Sequence, residues 1–150
     1  MRAYRKILVA VDGSPTSMKG LREAVRVAKD GGSQLVVLNV VNEFYAFAAL
    51  DGYAPGVDLV PALREGGRRT LAKAKALADK AGVRATTVLR ETIGGAAADA
   101  IVREARKQRA DLLVLGTHGH RGLRRMVLGS DAEQVVRASP IPVLLVRAAK

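Results

Sequence analysis

The chain has 150 residues, enough for one domain with its own core and too few for two. It carries 25 basic against 14 acidic residues, a net charge of +11 that favours anionic partners, yet with three tyrosines, two phenylalanines and no tryptophan it offers few stacking platforms to single-stranded nucleic acid. The lack of cysteine excludes disulfides and thiolate chemistry, and no run of about 18 apolar residues is present to span a bilayer.

Residues Met1 to Lys6 lead straight into a strand-like run with no cleavable signal, so a cytoplasmic protein is expected. The first strand is Lys6-Ile7-Leu8-Val9-Ala10-Val11. Ser14-Pro15 then supplies a helix start, Ser as N-cap and Pro at the first helical position. Met18, Leu21, Val25 and Ala28 form one apolar stripe, and Gly31-Gly32 ends the helix. A second strand spans Gln34 to Val41. The irregular segment from Asn42 to Gly56 holds every aromatic except Tyr4 and lies after the second strand, at the carboxyl edge of the sheet. It reads equally as a lid over a bound base and as a hydrophobic plug.

A second helix is predicted from near Val57 to Ala81, stopped by Gly82. Gly66-Gly67 is a weak point inside it, since a helical glycine costs about 1 kcal/mol relative to alanine. A third strand, Val83 to Leu89, is less apolar than the rest because of Arg84, Thr86 and Thr87. A third helix from about Ala96 to Arg109, a strand from Asp111 to Leu115, a fourth helix from near Ser130 and a last strand, Ile141 to Val146, complete the pattern. Continuous Val, Ile and Leu suit strands buried on both faces. Alternation of strand and helix then predicts an α/β fold, an open five-stranded parallel sheet with helices on both faces, as one Rossmann-like domain over residues 1–150.

The stretch that carries chemistry is Gly116-Thr117-His118-Gly119, nine further residues, then Gly129-Ser130. It runs from the end of the fourth strand to the start of the last helix. Glycines there permit positive φ and close approach of backbone to a ligand, successive N–H groups can face an anion, and the helix adds the positive end of its dipole. The Ser130 hydroxyl can donate to a phosphate oxygen or cap the helix. His118 and His120 lack a nearby third ligand and read as polar loop residues rather than a metal site. Asp12 either forms an Asp-Gly turn or reaches a ligand. Apolar residues precede it and Arg147 follows the last strand, so a phosphorylated receiver aspartate does not fit. No Gly-x4-Gly-Lys-Ser/Thr loop is present.

This motif resembles the ATP-binding signature of universal stress proteins, and the likeness spans the chain. Lys6 to Ser14 is similar to the family's first strand and acidic turn, Val40 falls in its second-strand segment, and Ser139 to Arg147 is similar to its closing strand. The resemblance implies strand order 3-2-1-4-5 and ATP, with magnesium, as ligand. It implies that the backbone at Ala10 and Val40 meets adenine, that Asp12 reaches the adenosine part, and that Leu115 lines the site. It further implies that Gly116, Gly119, Gly129 and Ser130 hold ribose and phosphates. It also implies a homodimer formed by antiparallel pairing of the edge Val143 to Val146, which Pro140 and Pro142 suit to an edge position. Two departures stand out: Asn39 where the family often has His, and Asp131 after Ser130. Asp131 favours the helix dipole but repels a triphosphate unless magnesium, Arg121, Arg124 or Arg125 intervenes. Three functions follow as candidates: a nucleotide-dependent regulatory switch, a weak ATPase using the same site, and a basic binder of nucleic acid or acidic partners.

Overall fold

A computed structural model describes residues 3–43, 59–117 and 128–147. The sheet comprises β1 (Lys6–Ala10), β2 (Gln34–Asn42), β3 (Ala85–Thr92), β4 (Leu112–Gly116) and β5 (Val143–Val146). Between them lie α1 (Pro15–Gly31), α2 (Val60–Lys80), α3 (Ala97–Gln108) and α4 (Ser130–Ala138). The strand order is β3-β2-β1-β4-β5, with every pair parallel. The predicted α/β architecture and its order are therefore those observed.

Burial on both faces explains the apolar runs. Ile7, Leu8 and Val9 of β1 are fully buried, and their alternate side chains enter two separate cores. Ile7 and Val9 pack with Leu21, Ala24, Leu71 and Ala74 of α1 and α2. Leu8 packs with Ala98, Ile101 and Ala105 of α3 and Val135 of α4. The period-two geometry of a strand and the three-to-four spacing on each helix together make this three-layer arrangement.

The first helix starts as its sequence indicates: Ser14 Oγ accepts from Ser17 N–H at 3.2 Å, Pro15 opens the helix, and Gly32 closes it at φ 64°. Helix α2 opens at Val60 rather than near Val57. Strand β3 is displaced from the predicted Val83–Leu89 to Ala85–Thr92. It is an edge strand, so Arg90, Glu91 and Thr92 extend it without entering a core. Strand β4 begins one residue later than expected because Asp111 acts as a clamp, its carboxylate accepting the N–H groups of Arg5 and Lys6 at 2.9–3.1 Å. Pro142 delays β5 to Val143, its carbonyl accepting from Leu113 N–H at 3.0 Å.

Candidate functional site

The sequence leaves β1 toward α1 on one face of the sheet and β4 toward α4 on the other, so the topological switch falls between neighbouring strands β1 and β4. Parallel sheets open a crevice at the carboxyl ends of their strands at such a point. Here a cleft of about 980 Å³ occupies it, floored by the ends of β1, β2 and β4 and walled by α2 on one side and the start of α4 on the other.

Ala10, Asp12, Val40, Leu115, Gly116, Gly129, Ser130 and Asp131, named from the sequence, all line this cleft. Gly119 lies outside the described residues, as do His118, His120, Arg121, Arg124, Arg125 and the aromatic segment Phe44 to Tyr53.

At the end of β1, Asp12 forms a turn. Its Oδ1 accepts Ser14 N–H at 2.8 Å, its own N–H donates to Ser17 Oγ at 3.2 Å, and Gly13 supplies the required positive φ of 83°. The turn leaves Asp12 exposed in the cleft. At the end of β2, buried Asn39 donates from Nδ2 to the carbonyl of Val11 at 2.8 Å, bracing the two strand ends. The residue that departs from the family pattern thus holds the cleft floor.

Gly116 and Gly129 do not use the positive φ that glycine permits. The motif suggests positive φ, yet Gly116 is strand backbone and Gly129 has φ −59°. Gly116 is needed for close packing: a Cβ there would meet the Thr16 carbonyl oxygen at 2.8 Å, so only glycine lets the first turn of α1 lie against β4. Gly20 faces it, and a Cβ on Gly20 would lie 3.3 Å from Gly116 N. Gly129, not Ser130, is the N-cap of α4. Ser130 and Asp131 are the first two helical residues, and both are exposed on the cleft side. The N–H of Gly129 donates to the Thr117 carbonyl at 2.7 Å, and Thr117 N–H donates to the Val146 carbonyl at 3.0 Å. These bonds aim the start of α4 into the cleft. First-turn N–H groups have no partner within their helix and carry partial positive charge, and the N-cap, Gly129, has no side chain with which to accept from them. The arrangement suits an anion.

The universal stress protein family model matches residues 3–147. The chain belongs to that family. A universal stress protein family member from Burkholderia pseudomallei is 36% identical with a TM-score of 0.78, covering 97% of each chain. A universal stress protein solved in complex with cAMP is 28% identical with a TM-score of 0.66, covering 98% of this chain and 99% of its own. One from Archaeoglobus fulgidus solved with dAMP is 25% identical with a TM-score of 0.68, covering 95% and 98%.

In this universal stress protein the sequence reading missed the α2 wall. Ala62, Leu63, Gly66, Gly67 and Thr70 line the cleft, as do Ala97 and Ile101 of α3. The available signal was Gly66-Gly67. Gly67 is explained by contact: a Cβ there would fall 2.5 Å from Asn39 Oδ1 and 2.9 Å from Leu89 Cδ1. The wall is pinned by Arg64, which forks onto Glu91 through Nε and Nη2, the latter at 3.0 Å, and lies 3.9 Å from Glu43. The Arg64 hydrogen bond holds the Glu91 carboxyl below the usual carboxylate range. Among the described residues no group of three or more His, Cys, Asp or Glu side chains could hold a metal ion, and no helix is long and apolar enough to cross a membrane.

Proposed function

We propose that this protein is an adenine-nucleotide-binding regulatory module that takes ATP, with its magnesium, in the cleft between α2 and α4. The observation that supports the reading most is the start of α4, with glycine as its N-cap, opening into a large crevice at the topological switch of a parallel sheet. The cAMP and dAMP complexes of similar proteins point to the same ligand class. In this reading the phosphates meet Gly129 and Ser130, the adenosine part lies against Asp12, Ala10 and Val40, and Leu115 and Gly116 complete the floor. Asp131 sits beside the phosphates, so magnesium entering with the triphosphate would offset its charge. Occupancy would then act as a switch on a partner contact, with hydrolysis slow or absent.

The test is a thermal shift. ATP at about 100 times its Kd adds about 2.7 kcal/mol, which for a chain of this size raises Tm by roughly 5–11 °C. An unchanged Tm across millimolar ATP and AMP, with and without magnesium, would reject the reading. Turnover of labelled ATP by the purified protein that fell with Ser130→Ala would favour instead a weak ATPase using the same site. Binding to polyanions that weakens steeply with salt would favour the basic surface as the functional one.

The same proposal includes a homodimer through β5. This strand is a sheet edge whose four residues are only half-buried: Leu144 and Val146 pack toward one core, Val143 and Leu145 toward the other. Pairing two such edges would satisfy the outer backbone groups and cover these side chains. Sedimentation at micromolar concentration should give the mass of two chains. A single-chain mass there would remove the dimer from the proposal.

A further inference from the structure

Gly66 is the residue of α2 for which the described fold gives no reason. It stands inside a helix of 21 residues, where glycine is disfavoured. Its neighbour Gly67 is forced by Asn39 and Leu89, but a Cβ on Gly66 would meet no described atom within 4 Å. What that Cβ would enter is the cleft. In the wall around it Ala62 and Leu63 lie one turn before and Thr70 one turn after. Leu63 is 38% exposed, a large apolar side chain left uncovered beside the glycine. The anion-seeking end of the cleft is the opposite wall, at Ser130.

We infer that Gly66 is a specificity-determining residue: it keeps the α2 wall flat so that the planar base of the nucleotide can lie against the helix backbone, with Leu63 covering the ring edge. This rests on the nucleotide reading above and adds to it the wall that receives the base. The placement follows from the two ends of the cleft. A ligand whose phosphates sit at the start of α4 must direct its base away from that helix, across β1 and β2, and α2 is the wall it then meets. A flat aromatic ring gains contact from a surface without a projecting methyl group and loses it when one is added. Leu71, Ala74 and Ala78 of α2 are buried in the core, so the helix is not free to retreat from an added side chain.

The inference predicts opposite signs for two readouts of one variant. Gly66→Ala should raise the Tm of the ligand-free protein by about 2–4 °C, because alanine is the better helix former and no described atom lies within 4 Å of the added methyl group. The same change should weaken AMP and ATP binding by about tenfold or more by calorimetric titration. Gly66→Leu should remove measurable binding of both. Inorganic tripolyphosphate, which has no base, should bind the wild type and both variants equally. A Gly66→Ala variant that gained stability and kept wild-type affinity would overturn the inference while leaving the nucleotide site standing. A lower Tm would also overturn it, showing that the glycine makes room for the chain itself. Wild-type protein that failed to bind AMP or ATP would overturn both this inference and the reading beneath it.

Discussion

Gly116→Val is expected to lower Tm by roughly 6–12 °C in the absence of any ligand, corresponding to a loss of about 3 kcal/mol. The added Cβ would lie 2.8 Å from the Thr16 carbonyl oxygen and 2.9 Å from both the Thr16 carbonyl carbon and Cγ2. Two of these three atoms are backbone, so no rotamer change relieves the contact. The first turn of α1 cannot yield easily either, because Asp12, Ser14 and Ser17 fix it through three interlocking hydrogen bonds. Strand β4 is equally committed, with Leu113 and Val114 fully buried between the two cores. Gly95→Ala is the control: nothing described lies within 4 Å of its Cβ, and its stability should stay within about 0.5 kcal/mol of wild type. Thermal denaturation of the ligand-free proteins decides the matter, and a wild-type Tm for Gly116→Val would mean that α1 and β4 are not in close contact. The result bears on function as well. If the variant also stops binding nucleotide, a displaced cleft floor explains the loss as well as a lost ligand contact does, so the first glycine of the motif is a poor probe of the ligand. Ser130 and Gly66, which the fold does not need in the same way, are better ones.

The layout of the sheet was legible because burial on both faces writes itself into sequence as unbroken Val, Ile and Leu, as in Ile7 to Val9 and Leu112 to Leu115. The boundaries of β3 were not, because an edge strand needs apolar residues on fewer sides. Arg90 and Glu91 are as acceptable there as Val88, and the pattern gives no stop. Strand order has no local signature at all, and it came from likeness to a family rather than from spacing. At the site, Ala10, Val40 and Leu115 were named from likeness to the family, and their place at strand ends agrees with the carboxyl edge of a parallel sheet, where a crevice opens. The α2 wall could not be named, since which face of a helix meets a cleft depends on how the helix lies across the sheet. Gly66 and Gly67 therefore read as a local liability, when one of them makes room for Asn39 and the other faces the cleft. The cap of α4 was misplaced by one residue for a simpler reason: glycine serves at that position nearly as well as serine, so Gly129-Ser130 is ambiguous until the dihedral angles are known.

Arg90→Met should cost about 3 kcal/mol at pH 7, or roughly 6–12 °C in Tm, and the penalty should shrink as the pH is lowered. Glu104 of α3 is 3% exposed and accepts from Arg90 Nε at 2.7 Å, Arg90 Nη2 at 3.2 Å and Gln108 Nε2 at 2.7 Å. Burial pushes its carboxyl up, while the bonds from Arg90 and Gln108 pull it down further, leaving it below the ordinary carboxylate range. A carboxyl lowered in the folded state stabilises the protein above its unfolded pKa and loses that contribution as the pH falls through the lower, native value. In the wild type this ion pair therefore favours folding throughout the neutral range and fades only in acid. Without Arg90 the burial remains and the main opposing bond is gone, so the sign reverses: the native carboxyl rises above its unfolded value and is destabilising at neutral pH until it takes a proton. The cost sits at the low end for a broken buried pair because Arg90 itself is 39% exposed and partly hydrated in the wild type. Melting curves from pH 8 to pH 5 should show the two proteins converging. A gap that stayed constant with pH would mean that only packing by the arginine stem had been lost. Adding Glu104→Leu to Arg90→Met removes the stranded charge and should restore most of the stability at pH 7. That recovery would show that the pair is required by its own burial, one member answering the other, while α3 is held on the sheet chiefly by Ala98, Ile101 and Ala105.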